Sequence, residues 1–323
     1  MGFFALWIWF FHLWTPIAAN LPVLSGIEAF LLRIGFTSVD VFFFLSGMGM
    51  IYAISKHSTL EFYKRRLLRV YLPFFITSLL QTVCYHWGIR KFIKAVSGYG
   101  FYFDPNQPQW FAPAILTLYL FFPLYHRFFQ RSRNKSRFIG ITLLVWLLFS
   151  LALNGTLRRD LYGFTNRIPV FFLGVWVGWR SKNDGLPSSK RLFAACACAL
   201  WLGLVLIYLT SYRDLYLLVP ASNCCIPTLL LAVSLSLLLS AGLGHLSAQS
   251  LVPAKPILAF LRFYGTISLE FYCVQELFGG RVRDFLLLHL PVLPVNLIVF
   301  AACTLGAALL SRICAAIRRL VPQ

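Results

Sequence analysis

Residues 192–211 read LFAACACALWLGLVLIYLTS, a stretch without one charged side chain. Its length matches the roughly 20 residues with which an α-helix crosses a hydrocarbon core about 30 Å thick. Lys190 and Arg191 precede it and Arg213 follows it. The same pattern recurs along the chain and gives ten spans, at 2–19, 30–54, 69–88, 110–128, 138–154, 164–180, 192–211, 223–242, 258–278 and 291–313. The expected fold is all-α, a polytopic integral membrane protein of about ten transmembrane helices. Residues 1–323 form one membrane-embedded domain in this reading, because the longest interruptions, near 89–109 and 243–257, are too small for a soluble domain.

Composition agrees. Of the 323 residues, 59% are hydrophobic and 12% charged, and the mean hydropathy is +0.75. A soluble domain is about a quarter charged, so this chain lacks the polar side chains to cover a globule. The 32 Phe suit lipid-facing and interfacial surfaces. A net charge of +19 would suit nucleic acid on a folded polar domain, but here the basic residues sit in short clusters between apolar runs, so no nucleic-acid partner is expected. The cysteine pairs Cys196/Cys198 and Cys224/Cys225 have no nearby His at metal-ligand spacing, which leaves no metal site and a packing role for free thiols.

Sidedness follows from Lys and Arg, which favour cytoplasmic connections. With the N-terminus inside, nineteen of the 29 fall in inner connections, among them Lys64, Arg65, Arg66, Arg69, Arg131 and Arg180, and nine in outer ones, among them Arg90, Arg158, Arg167 and Arg283. Both termini are therefore expected in the cytoplasm, in keeping with an even number of spans. The first apolar run lacks a basic leader and a small-residue cleavage site and is expected to be a retained span.

Polar residues inside such spans carry the functional signal, because a charge at the bilayer centre costs at least about 2.5 kcal/mol. His12, Asp40 and Glu270 stand out. At a rise of about 1.5 Å per residue they fall roughly 16, 15 and 18 Å along their spans, in one layer. A base and two carboxylates at one depth suit acid–base catalysis, helix-to-helix hydrogen bonding, or the proton relay of a transporter.

Ser38-Val39-Asp40-Val41-Phe42-Phe43-Phe44-Leu45-Ser46-Gly47 resembles the G-V-D-x-F-F-x-x-S-G signature of acyltransferase family 3, polytopic enzymes that O-acylate bacterial surface polysaccharides and peptidoglycan. Phe10-Phe11-His12 is similar to the end of that family's first helix. Lys64-Arg65-Arg66-Leu67-Leu68-Arg69-Val70-Tyr71-Leu72-Pro73 resembles its basic segment after helix two. Gln109-Trp110-Phe111 leading to Tyr119 and Pro123, Arg167-Ile168-Pro169 with Gly174 and Gly178, and Gly265-Thr266-Ile267-Ser268-Leu269-Glu270-Phe271-Tyr272 follow in the family's order. There are departures. Ser38 replaces a Gly, Gln275 stands where many relatives carry a His, and Ile115 and Leu116 stand where many carry a Glu pair. An Arg or Asp about a dozen residues before the first His would fall at or before Met1, as in a truncated or alternative start.

The resemblance implies a membrane O-acyltransferase, in the first instance an O-acetyltransferase, of the bacterial inner or plasma membrane. It implies acetyl-CoA or another acyl-CoA as donor co-substrate, no bound cofactor, and a glycan or lipid-linked acceptor. Some members carry a fused extracellular hydrolase-like domain, and here the expectation is a separate extracytoplasmic partner protein. The expected catalytic residues are His12, Asp40 and Glu270, with His12 as general base or acyl carrier and Asp40 orienting it. Arg65, Arg66 and Arg69 are expected to bind the donor's phosphates, guanidinium being a bidentate match for them. Positive-inside charge accounts for the same arginines equally well. Trp110, Tyr119, Arg167, Tyr272 and Gln275 are expected at the acceptor, with interfacial anchoring the alternative for Trp110 and interhelical hydrogen bonding the alternative for Glu270, Arg167 and Tyr272. The competing functions are a multi-pass transporter or exporter of a small metabolite or lipid-linked sugar and a non-catalytic assembly partner of an envelope complex.

Overall fold

Backbone polar groups in lipid must be satisfied within their own segment, and every described element is accordingly helical. The structure, a computed structural model, describes residues 1–18, 20–104, 110–153, 159–185, 190–213, 215–219, 222–248 and 254–320. Gln109, quoted above in a motif, and Arg158, counted among the outer basic residues, lie outside them.

Six described helices are long and apolar enough to cross a membrane: Thr37–Ile54, Thr59–Cys84, Lys135–Ala152, Lys190–Tyr212, Cys225–His245 and Val292–Leu320. Lys255–Thr266 and Ser268–Leu287 make a seventh if they count as one span, since they are bent by 65° at their junction. The remaining expected spans are shorter or more polar helices. Gly2–Leu13 has 12 residues, about 18 Å at 1.5 Å per residue. Ile168–Asn183 has 16. Phe111–Arg131 has 21 but carries Arg127 and Arg131 in its last turns and Pro123 within it.

The expected helix over 30–54 is two helices. Pro22–Ile34 ends at Gly35, and a new helix starts at Thr37. Asp40 therefore lies in a first turn, not in mid-span. The expected helix over 258–278 likewise breaks at Ile267, which puts Glu270 in the first turn of Ser268–Val274. Beyond it, Gln275–Gly279 widens into a π-helical turn, a form that recurs at functional sites.

The chain divides into two compact units; three of the four divisions fall inside the continuous helices Thr59–Cys84, Phe111–Arg131 and Ala254–Thr266, and the fourth falls just before Thr37. One unit comprises Thr37–Tyr63 and Thr117–Leu258. Its centre is the pair Thr37–Ile54 and Ile168–Asn183, which touch backbone to backbone. A Cβ on Gly174 would lie 2.0 Å from the carbonyl oxygen of Phe44, and one on Gly47 would lie 2.0 Å from that of Phe171. Small residues let membrane helices approach this closely. The contacts advance together, Phe44 with Gly174 and then Met48 with Gly178, so the two helices run parallel and begin side by side.

The other unit comprises Met1–Phe36, Lys64–Leu116 and Ala259–Gln323. Gly2–Leu13 packs in it against Ser268–Val274 and the π turn. Asn296, buried in Val292–Leu320, fixes where the chain leaves that first helix. Its amide oxygen accepts from the Thr15 backbone N–H at 3.0 Å and its amide nitrogen donates to the Thr15 carbonyl at 2.8 Å. Glu28 accepts from Trp14 Nε1 at 2.6 Å and from the backbone N–H groups of Ile17 and Ala18. Partial burial pushes the Glu28 carboxyl up, but these three bonds outweigh it and hold the group below its ordinary value.

Replacing Gly174 by Ala is expected to destabilise the protein by roughly 1–3 kcal/mol, the usual cost of overpacking. Gly49→Ala, with open space at the added Cβ, should be near neutral. Thermal unfolding of the two variants in detergent checks both.

Candidate functional site

Three carboxylates sit close behind a helix start or a change of helical form, and each has a cationic or imidazole partner. Asp40, 2% exposed, faces Arg167, 8% exposed, with 3.4 Å between Oδ2 and Nη2. The parallel packing explains the meeting, because Asp40 lies in the first turn of one helix and Arg167 caps the start of the other. Two helix N-termini side by side add partial positive charge near the carboxylate. Thr228 Oγ1 donates to the Cys225 carbonyl at 3.2 Å, and Arg167 Nη1 donates to the Gly163 carbonyl.

Glu270 is fully buried and its Oε1 accepts from Arg69 Nη1 at 2.6 Å. Arg69 Nη2 donates to the Thr266 carbonyl at 2.9 Å. One guanidinium thus serves a carbonyl freed by the helix break and the carboxylate just beyond it. Glu270 Oε2 is buried without a hydrogen-bond partner. Arg69, expected at the donor, and Glu270, expected among the catalytic groups, are brought together as an ion pair.

The third carboxylate, Glu276 on the π turn, was not among the expected residues. Its Oε1 lies 3.1 Å from His12 Nδ1, with the two side chains 21% and 28% exposed. Gln275, buried, places its amide nitrogen 3.4 Å from the same ring nitrogen and leaves Oε1 without a partner. Arg283 Nη1 donates to the His12 carbonyl at 3.2 Å, satisfying an orphan acceptor at the helix end. The close seat of the first helix on the π turn requires Gly279, where a Cβ would lie 2.5 Å from Leu13 Cδ1. Glu276 is thus the carboxylate in contact with the imidazole, while Asp40 faces Arg167. The cue was the acid beside Gln275 in an apolar segment.

Of the other expected residues, Tyr272 buries its hydroxyl and packs its ring against Phe111, with centroids 5.6 Å apart. Phe111 in turn meets Trp110 edge-on at 6.3 Å. Tyr119 is buried in the unit that holds Asp40 and Arg167. Arg65 is exposed and Arg66 half-buried. No group of three or more His, Cys, Asp or Glu suited to a metal occurs among the described residues. An apolar cavity of about 510 Å³, lined by Leu173, Trp176, Cys196, Leu230 and Leu237 among others, has Arg180 as its one charged lining residue and includes none of these groups.

Against known families, the acyltransferase family 3 model, described as an acyltransferase domain, matches residues 2–312. The chain belongs to acyltransferase family 3. No curated protein and no solved structure matches it. Family membership together with the apolar helices makes the protein a multi-pass membrane protein of an acyltransferase family. The six motif segments from His12 to Tyr272 all lie within the stretch matched to family 3.

Removing one member of a buried ion pair strands the other charge and costs about 3–5 kcal/mol, whereas an apolar pair of similar volume is often tolerated. Asp40→Leu alone is therefore expected to lower thermal stability strongly, and Asp40→Leu with Arg167→Leu to restore most of it. Acyl-transfer assays on the folded double variant then test the pair as a unit, since full activity makes both residues structural and a stable but inactive protein gives the pair a part in the reaction or in acceptor binding.

Proposed function

We propose that the protein is a membrane O-acyltransferase, in the first instance an O-acetyltransferase, that moves an acyl group from a cytoplasmic acyl-CoA to a hydroxyl of an extracytoplasmic or lipid-linked glycan. It acts in the bacterial cell membrane through ten crossings with both termini inside, and a separate extracytoplasmic protein completes delivery to the glycan. The observation that carries the reading is the His12–Glu276 contact at 3.1 Å, in a chain that the family model matches from residue 2 to residue 312.

The chemistry is acyl transfer by general base catalysis. His12 takes the proton of the acceptor hydroxyl as its oxygen attacks the thioester carbonyl. The tetrahedral intermediate collapses, the carbon–sulfur bond breaks, and the imidazolium returns the proton to the leaving thiolate. A neutral imidazole suits this exchange near neutral pH. Arg65 and Arg66 offer guanidinium edges to the phosphates of the donor, while Arg69 shares its edge between Glu270 and any phosphate. Asp40 and Glu270 each fix a helix start within their own unit. Gln275, beside His12, and Tyr272, one turn earlier, receive the acceptor, and the family pattern adds Trp110, Tyr119 and Arg167 to that role.

Purified protein incubated with radiolabelled acetyl-CoA should release CoA, and His12→Ala should lower the rate by about 10²–10⁴, the range a positioned base contributes. An unaltered rate removes His12 from the chemistry. No turnover and no acetyl-CoA binding by folded protein would favour transport of a small metabolite or lipid-linked sugar. Arg66→Ala should raise the KM for acetyl-CoA about ten- to a hundredfold, as loss of a hydrogen bond to a charged group worth about 1.5–3 kcal/mol implies. Its kcat should hold, which is the signature of lost ground-state binding.

A further inference from the structure

A histidine works as a base through one ring nitrogen only when the other holds the proton. Which nitrogen that is depends on the hydrogen bond the other makes. In His12 the contacted atom is Nδ1, with Glu276 Oε1 at 3.1 Å and Gln275 Nε2 at 3.4 Å. The two neighbours make opposite demands. An amide nitrogen donates and would need a bare Nδ1, whereas a carboxylate accepts and needs Nδ1–H. The carboxylate is nearer, and a charge-assisted bond is about twice as strong as a neutral one. With the Gln275 amide turned over, its otherwise unpartnered oxygen comes to the same proton, which removes the clash of demands at Nδ1.

We infer that Glu276 is a positioning residue that holds the His12 proton on Nδ1 and leaves Nε2 bare as the base. The inference rests on the reading of His12 as the catalytic base. Glu276 accepts from Nδ1–H throughout, and on proton transfer from the acceptor hydroxyl to Nε2 its negative charge lies against the new imidazolium. It neither gives nor takes a proton itself. The π turn matters because it sets the stretch that begins at Gln275 in register with the end of the first helix, where both side chains reach one ring. Arg283, by holding the His12 carbonyl, and Asn296, by holding Thr15, keep the ring in that place. The pair is partly exposed, as a dyad that meets a substrate has to be.

Two measurements on the full-length protein in nanodiscs test this. The first is NMR of labelled imidazole nitrogens, with the His12 signals assigned by their absence in His12→Ala. Wild type should show the proton on Nδ1, and Glu276→Gln should shift the ring toward the other tautomer. A wild-type proton on Nε2 overturns the inference whatever the protein's activity. The second is acetyl transfer. Glu276→Gln should lower kcat roughly 10²-fold, the lower end of the contribution of a positioned base, with the KM for acetyl-CoA held within about twofold, as for an interaction made only in the transition state. Glu276→Asp should recover part of it. His12→Ala with Glu276→Gln should be no slower than His12→Ala alone, because groups that act as one unit are not additive. Full kcat in folded Glu276→Gln, or losses that multiply in the double variant, overturns the role of Glu276 and leaves His12 as base. A wild type with the expected tautomer and no acetyl transfer overturns the acyltransferase reading instead.

Discussion

A carboxylate taken out of water among apolar helices must meet positive charge or lose its own, because the desolvation cost of an isolated ion far exceeds what packing returns. Asp40 and Glu270 meet that constraint in one way. Each lies in the first turn of a helix, where the backbone dipole is positive, and each has an arginine. The rest of each unit follows from keeping those partners in reach. Gly47 and Gly174 bring two backbones into contact so that the start of one helix delivers Asp40 to the cap of the other. The 65° bend at Ile267 exposes the Thr266 carbonyl that Arg69 binds while it holds Glu270.

The carboxylates of both pairs are sealed. Asp40 and Arg167 show 3% and 10% of their side chains to solvent, and Glu270 shows none, while its partner Arg69 is 37% exposed. Such pairs resist ligands, since any incoming group must first displace a partner that the fold depends on. Arg69 illustrates the conflict. A residue that serves a helix break, a buried carboxylate and a donor phosphate at once has fewer N–H groups left for the last. Arg65, a turn earlier on the same helix, is exposed to solvent, where a phosphate can reach it without disturbing that pair.

The helical class could be read from residues 192–211 and their counterparts because lipid admits so few backbone solutions. The breaks at Gly35 and Ile267 could not, since apolar side chains run straight across both and hydropathy is blind to a change of direction. That blindness moved Asp40 and Glu270 from mid-span to helix starts. Partners were hidden for a different reason. Arg69 and Glu270 lie 201 residues apart, and nothing in a single sequence sets the register between distant helices. Glu276 was the legible miss. A second acid directly after Gln275 in an apolar run is as costly as Glu270, yet the family pattern drew the reading to the place of Gln275 and past its neighbour.

The His12–Glu276 contact differs from those of the buried carboxylates in kind. Their interaction is one ring nitrogen to one carboxylate oxygen, with the second ring nitrogen left over and both side chains part exposed. A purely structural contact gains from sealing, because water competes for each hydrogen bond and screens each charge. The chain has the means to seal this one, since apolar residues flank both partners in sequence, Trp9, Phe10 and Phe11 on one side and Leu277 and Phe278 on the other. Asp40 and Glu270 are closed to solvent, whereas both partners here stay part open, as a group that must reach a substrate requires, and that is why we place the acid–base chemistry at the end of the first helix and not at the buried carboxylates.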